Sequence, residues 1–302
     1  MSALRIVAPG ASCLVEDLGR PGLARLGVGR SGAADRGALA LANRLVGNAE
    51  GAAGLEVLLG GFRAVAESDA WIAVTGARGP ILVDGVEAPP AVAVRVPAGA
   101  ELELRPAEHG LRYLVGVRGG IAVPEVLGSR SRDTLAGLGP APVAAGDRVP
   151  IGPEPEAPVA LLDREAAFAP ADGPVVLELV PGPRADWFTE PARALLFDVE
   201  WRTSAAADRV GTRLEGPALD RLVSGELASE ATVPGSMQVS TSGQPTILGP
   251  DRPVTGGYPV IAIVAPASLD RVAQLRPGQP VRFRHASHNS GTSGGYAPQA
   301  DQ

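Results

Sequence analysis

The chain has 302 residues, 45% of them hydrophobic and only 4% aromatic, so its length suits two ordinary domains or one large one around an aliphatic core. Its formal net charge of −6 includes no basic block, which argues against nucleic acid and anionic membranes as partners. No apolar run reaches membrane-spanning length, the N-terminus resembles neither a signal nor a transit peptide, and a single cysteine allows no intrachain disulfide, so we expect a cytoplasmic protein.

The most distinctive stretch of the first half is Glu16–Asp35, which holds five glycines and three arginines. Glycine lets the backbone approach a ligand closely, and arginine binds planar anions through two N–H groups. A helix is predicted directly after it, over residues 35–46, from apolar residues at helical spacing. The loop that carries Arg30 and Ser31 therefore precedes a helix N-terminus, which favours an anionic ligand.

This stretch also contains a G-x-G-x-x-G pattern at residues 27–32, the outline of a dinucleotide-binding fingerprint. With 39 glycines in the chain, about 0.6 such matches are expected by chance. The segment before it, residues 23–26, is too short for a central strand, and no βαβ unit follows. A dinucleotide site is therefore not predicted.

The rest of the first half is predicted to be short strands bounded by Gly, Pro or Asp turns. Many short strands at close spacing with a single helix favour a barrel or sandwich over a parallel sheet. The predicted strands are Arg5–Ala8, Cys13–Val15, Leu55–Leu59, Phe62–Ala66, Trp71–Thr75, Ile81–Val83, Val92–Val96, Glu101–Leu104 and Arg112–Val117.

Residues 151–174 are rich in Pro, Ala and Glu and are predicted to link two domains. The first domain is expected over residues 1–150 and the second over 175–285, with a disordered tail over 286–302. A short strand at Val159–Leu162 could belong to either side.

The second half is again strand-rich, and it resembles the first in plan without a residue-level repeat. Two short helices are predicted at Pro191–Leu196 and Leu269–Leu275, the second capped by Ser268. The predicted strands are Val175–Val180, Arg213–Leu214, Met237–Val239, Thr246–Leu248, Val260–Val264 and Val281–His285.

The chain contains no lysine, because all 27 residues counted as Lys or Arg are arginine. This excludes a P-loop lysine, a Schiff-base lysine, a Ser–Lys nucleophile and a biotin carried on this chain. The histidines, His109, His285 and His288, lie in no motif typical of a catalytic triad. Proton transfer and charge stabilisation must therefore come from Asp, Glu, Arg, Tyr and backbone N–H groups.

Three further clusters place Arg and Asp beside Gly, Ser or Thr, at residues 128–133, 208–216 and 251–259. One interpretation is a polar site in which Arg binds a carboxylate or phosphate and an acid transfers protons. The other is a set of surface ion pairs, which are common and weak. Glu56, within an apolar run, is either an exposed strand residue or an inward carboxylate with a function.

Nine short motifs, within a match that runs from about Val7 to about Phe283, together resemble one protein family. It is the KipI-antagonist family, also called allophanate hydrolase subunit 2, carboxyltransferase subdomains A and B, or the C-type 5-oxoprolinase subunit. The resemblance is specific for the family but not for the substrate. In chain order the motifs are VEDLGRPG, GVGRSGAAD, LANRLVGN, LEVLLGG, GVRGGI, LGSRSRD, ADRVGTRLEG, PGSMQV and DRPVTGGYP.

The resemblance implies a mainly β fold with two cyclophilin-like β-barrel domains in tandem, each with one or two short helices. It implies a KipI-like partner, namely allophanate hydrolase subunit 1 or the B-type 5-oxoprolinase subunit, and a third 5-oxoprolinase component. In one family context these proteins open 5-oxoproline to glutamate with ATP hydrolysis. In another, the homologous domain is the carboxyltransferase of a biotin-dependent urea carboxylase, and a bacterial relative acts against a sporulation-kinase inhibitor.

By the same resemblance, the candidate site residues fall on family motifs. Arg132 departs from the family, which commonly has a small polar residue there, so the identity of the substrate is left undecided. The candidate catalytic residues are Asp35, Asp208, Glu230, Asp251 and Tyr258. The candidate substrate- or anion-binding residues are Arg30, Ser31, Arg130, Ser131, Arg209, Arg213 and Thr255, and no metal ligand is predicted.

We therefore predict a hydrolase subunit, inactive by itself, of an ATP-dependent 5-oxoprolinase that uses ATP with Mg in the complex. The alternatives are a carboxyltransferase component that receives biotin on a separate chain, and a non-catalytic antagonist of a KipI-like protein. A Ser–Ser–Lys amidase is excluded because the chain has no lysine. Replacing Arg209 by Ala is expected to abolish the activity of the complex and to leave the fold intact.

Overall fold

The structure is a computed structural model that describes residues 2–160, 170, 172–225 and 227–287. It is mainly β, as predicted, with short α-helices at Arg36–Leu45 (α1), Glu190–Asp198 (α2) and Leu269–Ala273 (α3). The strands of the N-terminal half are β1 Ala3–Pro9, β2 Ser12–Glu16, β3 Gly54–Leu58, β4 Phe62–Ala66, β5 Ala70–Arg78, β6 Ile81–Val83, β7 Val86–Ala88, β8 Ala93–Val96, β9 Glu101–Leu104, β10 His109–Val117 and β11 Arg148–Pro150. The strands of the C-terminal half are β12 Val175–Pro181, β13 Trp201–Thr203, β14 Gly211–Glu215, β15 Glu230–Ala231, β16 Ser236–Val239, β17 Pro245–Leu248, β18 Thr255–Gly256, β19 Val260–Val264 and β20 Pro280–His285.

Two antiparallel sheets pack against each other in the N-terminal half. One has six strands in the order β11-β1-β4-β9-β6-β7, and the other has five in the order β2-β3-β10-β5-β8. Because successive side chains of a strand point to opposite faces, every second residue enters the space between the sheets. Cys13 and Val15 of β2 and Leu55 and Val57 of β3 are buried in this aliphatic core.

The outer face of the five-stranded sheet is covered by α1 and by the C-terminal half. Helix α1 packs there through Ala38 and Leu39, which form a buried cluster with Leu114 of β10. The residues of β2 and β3 that alternate with the core positions include Glu16 and Glu56, and both are buried. The sheet thus directs two carboxylates towards the junction with the C-terminal half.

The C-terminal half forms a closed barrel in the order β12-β19-β16-β17-β14-β13-β20. The barrel closes through parallel pairing of β12 with β20, which aligns Val175 with Val281. Trp201 is fully buried in the barrel core, and its indole N–H donates to the Leu196 carbonyl of α2 at 3.1 Å. A separate two-stranded ribbon, β15 with β18, lies outside the barrel.

Most predicted strands are present, and four have the predicted bounds: Phe62–Ala66, Ile81–Val83, Glu101–Leu104 and Val260–Val264. The strands that were not predicted, β7, β11, β13, β15 and β18, have only two or three residues each. Ser268 was expected to cap α3, but its side chain makes no capping hydrogen bond to that helix. Its hydroxyl instead accepts the backbone N–H of Glu178 at 3.1 Å, which ties the start of α3 to β12.

The predicted mainly β fold is confirmed, whereas the domain bounds 1–150, 151–174, 175–285 and 286–302 stay predictions. Val159 and Ala160 are not in a strand, and the rest of the predicted strand at Val159–Leu162 falls outside the described residues. The parts of the predicted linker and tail that fall outside are 161–169, 171 and 288–302.

Candidate functional site

Arg209 is the centre of a buried charged network between the two halves, and only 7% of it is exposed. Its Nε and Nη2 donate to Asp251 at 2.8 and 3.1 Å, and its Nη1 donates to Glu56 at 2.5 Å. Nη2 also donates to the carbonyl of Gly32 at 2.7 Å and lies 3.3 Å from Glu16. One side chain of the C-terminal half thus contacts three carboxylates, two of which belong to the N-terminal half.

Asp251 is fully buried and also receives hydrogen bonds from the N-terminal half. The Ser31 hydroxyl donates to it at 2.6 Å, and Thr134 donates from its backbone N–H at 2.9 Å and its hydroxyl at 2.7 Å. Burial acts to raise the pKa of Asp251, but Arg209 and these donors outweigh burial and lower the pKa. Asp251 is therefore held as a carboxylate.

Glu56 and Arg112 extend the network along the sheet. Glu56 accepts the backbone N–H of Ala34 at 2.8 Å and lies 3.3 Å from Nε of Arg112. Nη1 of Arg112 donates to the Ala273 carbonyl at 2.5 Å, at the end of α3. Of the two interpretations of Glu56, the exposed strand residue is wrong, because only 4% of the residue is exposed, and a function for its inward carboxylate stays a prediction.

The network contains one more acid than bases, since Glu16, Glu56 and Asp251 face Arg112 and Arg209. The carboxyl oxygens of Glu16 are fully buried, and among the described residues none donates to them a hydrogen bond of ordinary geometry, although the Ser131 hydroxyl lies near enough to lower the pKa of Glu16. Burial raises the pKa of Glu16 well above its usual value, and Glu56 and Asp251 raise it further against the opposing effect of Arg209. We infer that Glu16 carries the excess proton.

This setting changes the expectation for Arg209→Ala. A buried arginine that is removed from its partners leaves uncompensated charges, which is strongly destabilising. The substitution would leave Glu56, Asp251 and Glu16 without their shared cation. We therefore expect it to destabilise the fold, in place of the sequence-based expectation that the fold stays intact.

The glycine-rich loop folds back on itself. The backbone N–H of Arg20 donates to the Arg30 carbonyl at 2.8 Å, and that of Ala33 donates to the Asp17 carbonyl at 2.9 Å. Gly19 has a φ of +79°, and a Cβ on it would lie 2.3 Å from the Arg30 oxygen. We expected a ligand to approach the glycines of this loop closely. At Gly19 it is the loop's own backbone that makes the close approach.

Asp17 joins this loop to the loop at residues 128–133. Its carboxylate accepts the hydroxyls of Ser129 and Ser131 at 2.7 and 2.6 Å and the backbone N–H of Arg130 at 2.7 Å. Ser131 is fully buried, and the half-buried Arg130 forms an ion pair with Glu125 at 2.7 Å. The structure thus brings Arg130 and Ser131 beside the glycine-rich loop, and their role in anion binding stays a prediction.

The N-terminus of α1 was expected to attract an anionic group, and the carboxylate of Asp270, from the C-terminal half, lies there. Asp35 caps the helix by accepting the N–H of Ala38 at 2.9 Å, and its other oxygen accepts Nε2 of Gln274 at 2.6 Å. Asp270 accepts the first two backbone N–H groups of α1 at 3.1 and 3.2 Å. Burial and, next, the charge of Asp270 raise the pKa of Asp35 to about 7.

Three candidate residues lie together elsewhere, at the ribbon of β15 and β18. Glu230 forms a half-exposed ion pair with Arg184, and Thr255 pairs across the ribbon. Tyr258 is 46% exposed, and the Arg221 guanidinium lies 6.0 Å from the centre of its ring. These residues do not contact the Arg209 network in the described part of the chain.

Asp208 and Arg213, the remaining candidates, are exposed. Oδ1 of Asp208 accepts the backbone N–H groups of Val210 and Gly211 at 2.8 and 2.9 Å, so the turn fixes its carboxylate. Arg213 lies on β14. Within the described residues, no group of three or more His, Cys, Asp or Glu is arranged to hold a metal ion, and no helix is long and apolar enough to span a bilayer.

Two clefts lie beside the network at the junction of the halves, and both are lined by Arg112 and Asp208. The smaller, of about 90 Å³, we call the arginine cleft, and its charged lining consists of Arg30, Arg36, Arg112, Arg252, Asp208 and Asp270. The larger, of about 610 Å³, we call the leucine cleft, and its lining includes Leu14, Leu58, Leu111, Leu275, Glu56 and Arg209. A concave, mostly apolar surface with a few convergent polar groups is typical of a ligand site.

One family model, the carboxyltransferase domain, subdomain A and B, matches residues 26–285 of the chain. The chain belongs to this family. Its mainly β fold is the one that the resemblance implied, and the closed barrel of the C-terminal half is one of the two expected barrels, while the described strands of the N-terminal half form two packed sheets.

Named relatives of the family fall into two groups. The chain is 35% identical over 291 residues to the C-type 5-oxoprolinase subunit of Escherichia coli (strain K12). That alignment covers 94% of this chain and 91% of the relative. It is 31% identical to urea amidolyase of Saccharomyces cerevisiae, covering 97% of this chain but only 17% of the relative. The crystal structure of TTHA0988 is similar with a TM-score of 0.84 and 36% identity, and the chain covers 55% of it, or about half its length.

Several residues of the network were not predicted as site residues. Glu16 and Asp17 directly follow the predicted strand Cys13–Val15, and Arg112 begins the apolar run of another, so charges bordering buried strands were the available signal. Thr134 and Gln274 carried no local signal, because they meet their partners only when the two halves dock.

Proposed function

We propose that this chain is the C-type subunit of an ATP-dependent 5-oxoprolinase. It would act with a KipI-like subunit and a third subunit to open 5-oxoproline to glutamate, and would be inactive by itself. The observation that carries the proposal is the match to a C-type 5-oxoprolinase subunit over 91% of that relative. The clefts beside the Arg209 network support it, because they combine cations, a fixed carboxylate and an apolar wall.

We place the chemistry at the wall that the two clefts share. Arg112 would stabilise negative charge that develops on the oxygen of the amide, as preorganised donors do in acyl-transfer sites. Asp208 would accept a proton from the amide or from the attacking water, since its carboxylate is accessible and held by the turn. Arg209 would act as a positioning residue, because its donors are engaged by the protein itself.

ATP would be hydrolysed to ADP and inorganic phosphate as the lactam opens, and the arginines of the arginine cleft are suited to its anionic oxygens. The chain has no lysine, so these contacts would be made by guanidinium and backbone N–H groups. No magnesium ligands are assigned to the described residues.

The test is ADP release by the co-purified complex of all three subunits, measured with and without 5-oxoproline. We expect release that depends on 5-oxoproline, and a loss of about 10²- to 10⁴-fold for Asp208→Asn. Asparagine keeps the Oδ1 acceptor for the turn, so the fold is expected to persist. The control is Arg282→Ala, which removes an exposed ion pair with Glu200 on the same barrel.

Wild-type turnover by Asp208→Asn would remove Asp208 from the reaction. A well-formed complex without 5-oxoproline-dependent release would contradict the oxoprolinase proposal. It would favour the second candidate, a carboxyltransferase component that receives biotin from a separate chain, which is motivated by the similarity to urea amidolyase over 97% of this chain. Tight association without turnover on either substrate would instead indicate a non-catalytic antagonist.

A further inference from the structure

We propose that the loop at residues 132–140, which we call the cleft loop, sets the ring size of the lactam that the leucine cleft accepts, with Leu135 as its specificity-determining residue. This inference deepens the proposed function and rests on it for the identity of the substrate. Its geometric basis is that Thr134 and Leu135 line the leucine cleft together with Arg112 and Asp208. A lactam whose amide lies against Arg112 and Asp208 therefore shares this cleft with the Leu135 side chain.

Leu135 is a large apolar side chain that the fold leaves in contact with water. It is 52% exposed, and single exposed leucines are common on protein surfaces. Leu127 is exposed to the same extent, but it lies at a turn and lines neither of the two clefts. What distinguishes Leu135 is its place on a concave surface, where the apolar atoms of a ligand would cover it.

The backbone on both sides of Leu135 is fixed by hydrogen bonds within the cleft loop. Oδ1 of Asp133 accepts the N–H groups of Leu135 and Ala136 at 3.0 and 2.8 Å. The backbone N–H of Asp133 donates to the Leu138 carbonyl at 2.9 Å. The Leu135 side chain is thus presented to the cleft by a preorganised turn, which lowers the conformational entropy lost when a ligand binds.

Arg132 holds the end of the cleft loop. Its Nη1 donates to the Gly137 carbonyl at 3.1 Å and lies 3.5 Å from the carbonyl oxygens of Gly139 and Pro140. Gly139 has a φ of +83°, and a Cβ on it would lie 2.1 Å from the Ser131 oxygen, so the end of the loop packs closely on its start. Arg132 is therefore a positioning residue, and its removal should loosen the loop without changing the side chain of Leu135.

Thr134 joins the cleft loop to the Arg209 network. Its backbone N–H and its hydroxyl donate to Oδ2 of Asp251 at 2.9 and 2.7 Å, and the same oxygen accepts Nε of Arg209. The residue next to Leu135 is therefore tied to the charged groups of the cleft. A ring in this cleft meets a wall that is held in place, so one additional methylene should be rejected, by about 10- to 200-fold in kcat/KM.

The first test compares two lactams in the ADP-release assay of the co-purified complex. 6-Oxopiperidine-2-carboxylate keeps the amide and the carboxylate of 5-oxoproline and adds one ring methylene, so the comparison isolates ring size. The wild type should prefer 5-oxoproline by about 10- to 200-fold in kcat/KM, and Leu135→Ala should lower this preference by about tenfold, because it enlarges the cleft. Arg132→Ala should lower it less.

Leu127→Ala is the control at an equally exposed leucine and should keep the wild-type preference. A purely structural defect would lower the turnover of both lactams equally and leave their ratio unchanged. The urea midpoint of each variant checks that the fold is retained.

The second test does not depend on turnover. Cys13 is the one cysteine of the chain and is only 1% exposed, so Leu135→Cys and Leu127→Cys each introduce an accessible thiol. Maleimide labelling of this subunit in the complex is followed by mass spectrometry. With 5-oxoproline at about ten times its Kd, labelling of Leu135→Cys should be slowed by about tenfold, because only the unliganded fraction reacts. Labelling of Leu127→Cys should not change, and 6-oxopiperidine-2-carboxylate at the same concentration should protect Leu135→Cys less.

The proposal is overturned if 5-oxoproline leaves the labelling rate of Leu135→Cys unchanged, if both lactams protect it equally, or if Leu135→Ala keeps the wild-type preference. Failures of the two proposals can be distinguished. Selective protection of Leu135→Cys in a complex that releases no ADP would keep the role of the cleft loop and remove the oxoprolinase assignment. Release of ADP without protection would keep that assignment and remove Leu135 from the site.

Discussion

Two arginine–glutamate pairs of this protein use the same groups in opposite surroundings. Arg209 and Glu56 lie at the junction of the two halves, with side chains 8% and 4% exposed. Arg184 and Glu230 lie at the rim of the barrel, with side chains 35% and 31% exposed. Both pairs involve a residue predicted from its motif to belong to a site, yet only the first is part of a buried network.

The difference shows that burial decides what an ion pair contributes. At the rim, water solvates either partner when the other is absent, so the pair adds little to stability. At the junction, each charge has lost its hydration and depends on its partners, so removal of one partner costs far more than the pair itself contributes. The junction therefore couples the docking of the two halves to the integrity of the candidate site.

The largest effect is expected from Arg209→Ala. It should lower the free energy of unfolding by about 3–5 kcal/mol, because it leaves buried carboxylates without a cation. Urea denaturation followed by tryptophan fluorescence measures the change. Arg184→Ala is the matched control and should keep a midpoint close to that of the wild type, so equal losses for the two variants would contradict the comparison.

A smaller loss is expected from Ser31→Ala, which removes the hydroxyl that donates to Asp251 at 2.6 Å. A buried hydrogen bond to a charged group contributes about 1.5–3 kcal/mol, and the loss should be of that size. Thr255→Ala, at an exposed position of the ribbon, should leave the urea midpoint unchanged. A Ser31→Ala protein as stable as the wild type would show that Asp251 does not depend on this donor.

The smallest effect is a change in pH dependence for Glu16→Gln. The pKa of Glu16 is raised above its unfolded value of about 4.5, so the folded state keeps a proton that the unfolded state loses. Through this group, wild-type stability falls as the pH rises above about 4.5, until the pH reaches the raised pKa of the folded state. Glutamine cannot ionise, so the stability of the variant relative to the wild type should increase with pH.

Urea midpoints from about pH 4 to about pH 8 measure that difference at and above the pKa of the unfolded state. Glu230→Gln, at the rim, is the control and should give a profile parallel to that of the wild type. A parallel profile for Glu16→Gln as well would mean that Glu16 does not carry the excess proton of the network.

The sequence by itself determined most of the strands of four or more residues. Glu101–Leu104 and Phe62–Ala66 were predicted with the observed bounds, because alternation of apolar residues is a local property of the chain. Strands of two or three residues, such as β15 and β18, were missed because so short a pattern is indistinguishable from a loop. The family and its mainly β fold also followed from the sequence, through motifs spread along the whole chain.

Only the tertiary structure decided which charges meet. Ser31 and Asp251 are 220 positions apart, and Glu56 and Arg209 are 153 apart, so no local pattern relates them. The Arg209–Glu56 pair lies in the buried junction, whereas the Arg184–Glu230 pair, made of the same residue types, lies at the exposed rim. The docking of the two halves determines burial, and burial determines whether a carboxylate is structural, protonated or accessible to a ligand.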